Sequence, residues 1–345
     1  MTLHDEIYEQ PVILKELVTT QWEHITKIAD NIRQYAPSYA FLTARGTSDN
    51  AGRYAQYQWG IHNNLPIALA APSLFSLYQR PPKLDHALAV GISQSGQSPD
   101  IVSVMVEAAN QGCLTVAIVN NTDSPLARAT DHVIDVCAKK ELAVAATKSY
   151  TAELMAIAML SAALAQNDAA YSILRKAPVW VEAILELDPI IQRMAERYCY
   201  MEQCVILGRG YNYATAFEWS LKLKELCYIA SEPYSSADFL HGPVALVDHG
   251  YPVMAVIPEG KTREGMMKLL SYLRNERKAE ILTISNDPDI TRISSSNISL
   301  PADLPEWVSP LISIVPAQLF VYHLTRLKGY DTDSPRDLLK VTETN

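Results

Sequence analysis

Two α/β sandwiches, each a doubly wound parallel sheet flanked by helices, are predicted by three observations. Short, near-continuous apolar runs alternate with helix-length stretches, as in parallel sheets buried on both faces. The alternation occurs twice, separated by a purely helical stretch. The composition, 48% hydrophobic and 19% charged over 345 residues, supplies enough apolar surface for large cores and excludes a disordered chain.

The chain opens with Glu9-Gln10-Pro11 before Val12, Ile13, Leu17, Val18, Trp22 and Ile25, which predicts an N-terminal helix with proline in its first turn. YAFLTA (39–44), PIALAA (66–71), HALAVGIS (86–93), CLTVAIVN (113–120) and HVIDV (132–136) read as strands of the first sheet. From Thr147 to Tyr200 the pattern is helical, broken only near Gln166-Asn167-Asp168. QCVILG (203–208), PVMAVIP (252–258), AEILTIS (279–285) and NISLP (297–301) then read as strands, followed by an apolar helix from Leu304 to Leu327. Ala44-Arg45-Gly46-Thr47 echoes Gly208-Arg209-Gly210-Tyr211, Ala89-Val90 echoes Ala255-Val256, and Asn120 echoes Asn286, at a near-constant offset. That regularity indicates an internal duplication. The expected division is an N-terminal helix over 1–35, a first domain over 36–165, a helical connector over 166–200, a second domain over 201–330 and a tail over 331–345.

With 29 basic and 38 acidic residues the net charge is −9, the wrong sign for gripping a nucleic-acid backbone. An anionic ligand is therefore expected to be held locally, by hydroxyls, backbone N–H groups and helix ends. Five cysteines without a CxxC pair suit a reduced cytoplasm. The N-terminus lacks the pattern of a signal peptide, and the longest apolar segment, Leu154 to Ala165, falls short of the roughly 18 residues of a membrane span. Neither a membrane nor a nucleic-acid partner is expected.

In a doubly wound sheet of flavodoxin-like order, ligands bind where connections leave the first and third strands in opposite directions. The loops there are Ala44-Arg45-Gly46-Thr47-Ser48-Asp49-Asn50 and Ser93-Gln94-Ser95-Gly96-Gln97-Ser98, both hydroxyl-rich and both leading into helices. Ser98-Pro99-Asp100 reads as an N-cap with proline at the first helical position, which places the loop hydroxyls near unpaired N–H groups. Turn closure alone accounts for one such loop, whereas two at adjacent strand ends favour a phosphate site. A further polar segment, Glu141 to Ser149, precedes the long helix, with Thr147 as its candidate cap. In the second half, Glu218, Lys222 and Glu225 share one face of the helix over 213–228. A solvated ion-pair stripe would look the same, but the trio lies among Leu221, Leu223 and Leu226 and is followed by His241-Gly242-Pro243.

Taken together these segments resemble the sugar isomerase (SIS) domain family, in particular the double-SIS arrangement of the isomerase half of glucosamine-6-phosphate synthase and the type II glucosamine-6-phosphate deaminases. Gly46-Thr47-Ser48, Ser93 to Ser98, Val144-Ala145-Ala146-Thr147-Lys148, Leu221 to Glu225, His241-Gly242-Pro243 and Ser334 to Lys340 occur in the family's order and spacing. The resemblance implies that Ser93, Gln94, Ser95 and Ser98 bind phosphate. Gly46, Thr47, Ser48 and the backbone near Val144 and Ala146 would hold the sugar, with Ala146 standing where the synthase has a hydroxyl. It further implies that Glu225 moves a proton between C1 and C2 with Lys222 beside it. His241, shared across a homodimer, would open the ring, and Lys340 would form an imine with the open-chain sugar.

A proton relay must open a closed hexose ring, and histidine suits that task; no metal or cofactor is required. The expected reaction converts glucosamine 6-phosphate to fructose 6-phosphate and ammonia. Alternatives are a galactosamine-6-phosphate deaminase/isomerase, a fructosyl-amino-acid 6-phosphate deglycase, a synthase-like isomerase without its glutaminase domain, and a phosphosugar sensor without turnover. The glutaminase domain is expected to be absent.

Overall fold

The computed structural model describes residues 2–340, so Met1 and residues 341–345 of the expected tail lie outside the described residues. The chain divides into two compact units. Of the described residues, the first comprises 9–142, 146–178 and 338–340, and the second comprises 2–8, Ala143–Ala145 and Val179–Asp337. The expected 166–200 connector is thus shared between them.

In place of one N-terminal helix there are three: α1 (Leu3–Tyr8), α2 (Gln10–Thr20) and α3 (Trp22–Tyr35). Between α2 and α3 the hydroxyls of Thr19 and Thr20 donate to the carbonyls of Lys15 and Glu16, a side-chain competition that favours a break. In the first unit follow β1 (Tyr39–Thr43), α4 (Gly46–Asn63), β2 (Ile67–Leu69), α5 (Ser73–Ser76), β3 (Ala87–Ser93), α6 (Pro99–Asn110), β4 (Leu114–Val119), α7 (Pro125–Arg128), β5 (His132–Asp135), α8 (Lys148–Leu164) and α9 (Asp168–Leu174). The five strands pair in parallel in the order β2-β1-β3-β4-β5, the predicted order. Helix α6 seals one core, where Ile101, Val104 and Met105 meet Phe41, Ala89 and Ala117. Helix α8 is buried from Lys148 through Ala163, as a helix apolar on all sides must be. Its carbonyl at Ile157 accepts from the Trp59 indole at 3.1 Å, which ties it to α4.

The chain passes through α10 (Ala177–Leu185) into α11 (Asp188–Arg197) and then the second sheet, formed by β6 (Gln203–Gly208), α12 (Tyr213–Cys227), β7 (Ala230–Ser235), α13 (Ser236–Phe239), β8 (Pro252–Val256), α14 (Arg263–Asn275), β9 (Glu280–Ser285), α15 (Pro288–Ile293), β10 (Ser296–Ser299) and α16 (Ser309–Leu327). Its order, β10-β9-β8-β6-β7, is again all parallel and repeats the first sheet strand for strand.

Two elements depart from expectation. Strand β7, sequence ASEPYS, carries no apolar run, because it is an edge strand paired only with β6; Pro233 is tolerated there since one side has no ladder to join. Helix α16 begins at Ser309 rather than Leu304. Pro305 disfavours helical backbone in the residue before it, and Pro310 sits at the start of the observed helix.

Candidate functional site

The two hydroxyl-rich loops of the first unit lie after β1 and β3, which are neighbours in the sheet, at the point where connections diverge. Arg45 joins them: its Nε and Nη2 stand 2.8 and 2.7 Å from one carboxylate oxygen of Asp100, in the first turn of α6. Gly46 opens α4, with Thr47 half-buried and Ser48 buried. The Ser48 hydroxyl donates to buried Glu153 of α8 at 2.9 Å, so it is already engaged with a carboxylate.

In the second loop Ser93 Oγ accepts from the Gly96 N–H at 3.0 Å and Ser95 Oγ from the Gln97 N–H at 3.3 Å. Each bond uses an acceptor lone pair and leaves the hydroxyl hydrogen to donate outward, the polarity an anion requires. Gly96 has φ +63°, and a Cβ there would lie 2.1 Å from Ser124 Oγ, so only glycine fits. Ser98 occupies the N-cap of α6 with Pro99 after it, but its side chain does not bond the first turn.

The start of α8 is organised from outside the helix. Thr147 holds the N-cap position without a side-chain cap bond. Instead buried Glu141 accepts from the N–H groups of Thr147 (3.0 Å) and Ser149 (3.1 Å) and from the Ser149 hydroxyl (2.8 Å). Its other partner is Lys340, whose Nζ lies 2.6 Å from Glu141 Oε2. Burial pushes the Glu141 carboxyl upward, but Lys340 and these N–H donors outweigh it and hold the group below the usual glutamate range. Buried Lys148 fixes the preceding turn, donating to Glu9 at 2.6 Å and to the Lys140 carbonyl at 2.8 Å. Among the expected sugar-binding positions, Val144 groups with the second unit and Ala146 with the first, both half-buried.

Gln94, Ser95, Lys139, Lys140, Glu141 and Lys340 share an open cleft of about 450 Å³, bounded also by Asn120. Lys340, named by the resemblance, is joined there by Lys139 and Lys140 of the β5–α8 connection, which the overall negative charge did not suggest. Glu141, outside the expected site, was legible only as part of a helix start, because its partner lies 199 positions away.

Glu225, Lys222 and His241 belong to the second unit. Lys222 is 2% exposed and Glu218 fully buried, so the trio on α12 is not a solvated stripe. Lys222 Nζ lies 2.6 Å from Glu225 Oε2 and 3.3 Å from Glu218 Oε1. Burial alone would lower the Lys222 pKa, but the two carboxylates outweigh it and raise the pKa above the ordinary lysine value. His241 is exposed, immediately before Gly242 at φ +140°. The tail is anchored on the same unit: the Arg336 guanidinium lies 3.9 Å over the Tyr228 ring, and the Arg336 backbone N–H donates to the Tyr228 hydroxyl.

The second unit also has a loop equivalent to Ser93–Ser98, between β8 and α14, and it is filled from within. The Glu306 carboxylate accepts from the N–H groups of Lys261 (2.9 Å) and Thr262 (3.4 Å) and from the Thr262 hydroxyl (3.2 Å). A Cβ on Gly260 would lie 2.2 Å from the Glu306 carboxyl carbon.

Duplicate flavodoxin-like sheets with these loops define a class, and the SIS domain model matches residues 36–163 and again 201–327; the chain belongs to the SIS domain family. Glutamine–fructose-6-phosphate aminotransferase (isomerizing) of Pyrococcus horikoshii is 32% identical over 341 residues, covering 97% of this chain and 56% of that relative. The chain thus spans about half the length of the curated relatives it matches. Among solved structures, the C-terminal domain of glucosamine-fructose-6-phosphate aminotransferase from Francisella tularensis superposes with a TM-score of 0.87 at 28% identity, covering 96% of this chain and 98% of that one. Glucosamine-6-phosphate deaminase from Thermotoga maritima gives 0.73 at 22% identity, covering 96% and 100%, a likeness of fold.

Proposed function

We propose that the protein is a phosphosugar isomerase that deaminates glucosamine 6-phosphate to fructose 6-phosphate and ammonia. The observation that carries this reading is the arrival of Lys340 beside buried Glu141 in the cleft that also holds Gln94 and Ser95. An amine for carbonyl chemistry thereby shares a pocket with a hydroxyl-rich anion loop. The names of the similar proteins, which act on fructose 6-phosphate or glucosamine 6-phosphate, support the same substrate class.

In this reading Ser93, Gln94, Ser95 and Ser98 take the phosphate, converting remote binding energy into orientation of C1 and C2. Gly46, Thr47 and Ser48, with the backbone near Val144 and Ala146, hold the sugar hydroxyls. His241, contributed by the second subunit of a homodimer, opens the ring. Glu225 removes the C2 proton from the open-chain aldehyde, giving an enolamine, and reprotonation at C1 leaves an imine at C2. Water adds to that imine and ammonia departs, leaving the ketone. Lys222 remains a cation and acts as a positioning residue for Glu225. Lys340 stabilises charge in the cleft as an ammonium; after losing a proton to water its amine can displace ammonia from C2 through an imine of its own, which water then hydrolyses to the ketone and the free lysine.

The test is ammonia or amine release from a panel of hexosamine 6-phosphates and fructosyl-amino-acid 6-phosphates. Glucosamine 6-phosphate is expected to turn over fastest, and Glu225→Gln to bind it without turnover. Binding without release from any member of the panel, in wild type as in the variant, overturns the proposal in favour of a sensor. Faster release from another member reassigns the substrate.

A further inference from the structure

Away from the cleft, three side chains from distant parts of the chain converge within the second unit. His4 lies in α1, Asp188 opens α11 and His323 lies in α16. His4 Nε2 stands 3.0 Å from Asp188 Oδ2, and His323 Nε2 stands 2.5 Å from Asp188 Oδ1. One ligating atom from each residue falls within 4.8 Å of the others.

We propose that His4, Asp188 and His323 bind a divalent transition-metal ion of the zinc class, clamping α1 to α11 and α16. Two imidazole nitrogens and one carboxylate suit zinc, cobalt or nickel, whereas magnesium and calcium prefer sites built from oxygen. The outer contacts also match such a site. The Tyr8 hydroxyl donates to Asp188 Oδ2 at 2.9 Å, an orienting bond of the kind that surrounds ligating carboxylates. The rings of Tyr8 and Tyr322 each lie 4.7 Å from the His4 ring and limit its rotation. The side chains of Asp188 and His323 are 13% and 9% exposed, while that of His4 is 30% exposed. An ion therefore enters past His4 and keeps a coordination position open to water on that side. The clamp has a clear object, since α1 is only six residues long and helices that short do not persist alone in water.

A metal-free chain of hydrogen bonds uses the same three residues, and the experiment separates the two. The tag-free full chain, stripped with EDTA, is titrated with Co²⁺ and followed by visible ligand-field absorption. One equivalent per chain is expected, displaced by Zn²⁺, with Zn²⁺ raising the unfolding temperature. His4→Gln, at the exposed edge, is expected to weaken Co²⁺ binding by about tenfold or more and to abolish the Zn²⁺-dependent rise; His323→Asn is the second variant. Absence of a ligand-field band, or equal affinity in wild type and His4→Gln, overturns the proposal and leaves the hydrogen-bonded trio. None of these measurements depends on the enzymatic reaction.

Discussion

Lys222 has one charge to set against two carboxylates, in a place almost without water. Removing it leaves Glu218 and Glu225 facing each other, Glu218 fully buried. Lys222→Met is expected to destabilise the fold by about 3 kcal/mol, measured by urea unfolding, and to lower turnover through a misplaced Glu225. Because the folded pKa of Lys222 is raised, its contribution is complete at neutral pH and fades only as pH climbs above the ordinary lysine value. For Glu225→Gln, kcat for ammonia release is expected to fall by about 10²–10⁴-fold with KM little changed, as for loss of a proton-transfer group. The spacing of these three residues was legible in the sequence. Their burial was not, because spacing along a helix shows which residues share a face and not what packs against it.

At the scale of single elements, the strands that read most clearly are those buried on both faces, such as β3 and β6, whose apolar runs follow from that burial. Strand β7 escaped for the converse reason, since an edge strand needs no such run. The serine-rich loop was legible because its Gly96 and the Ser98-Pro99 cap are local devices. Gly96→Ala forces both a left-handed φ and a collision with Ser124; it is expected to raise KM for the phosphosugar well before it affects the remaining secondary structure, as checked by steady-state kinetics beside circular dichroism. The start of α8 was read only in part, because Glu141 caps it from outside. The depressed pKa of Glu141 means that its stabilisation is present above the ordinary glutamate value and is lost as pH falls below it. Glu141→Gln should therefore be less stable than wild type at pH 7 by about 1–3 kcal/mol, with the gap narrowing toward pH 4 in unfolding titrations.

For the whole molecule, the duplication showed in matched positions such as Ala89-Val90 and Ala255-Val256, and both sheets carry it out in the same strand order. What repetition cannot reveal is which residues of each copy serve chemistry, since the backbone pattern persists while loop contents diverge. If His241 is supplied across a homodimer, mixing inactive His241→Asn and Glu225→Gln chains and allowing exchange should restore ammonia release, because mixed dimers regain one intact pair. Dilution below the dimer dissociation constant should abolish activity.

The Glu306 carboxylate in the loop between β8 and α14 has a consequence for ligand stoichiometry. A chain built by doubling would ordinarily offer two berths for an acidic guest, yet here one berth is taken permanently by a tenant from its own sequence. Titration with a phosphosugar should accordingly saturate at one molecule per chain, and evicting the tenant by Glu306→Ala would be the way to let in a second.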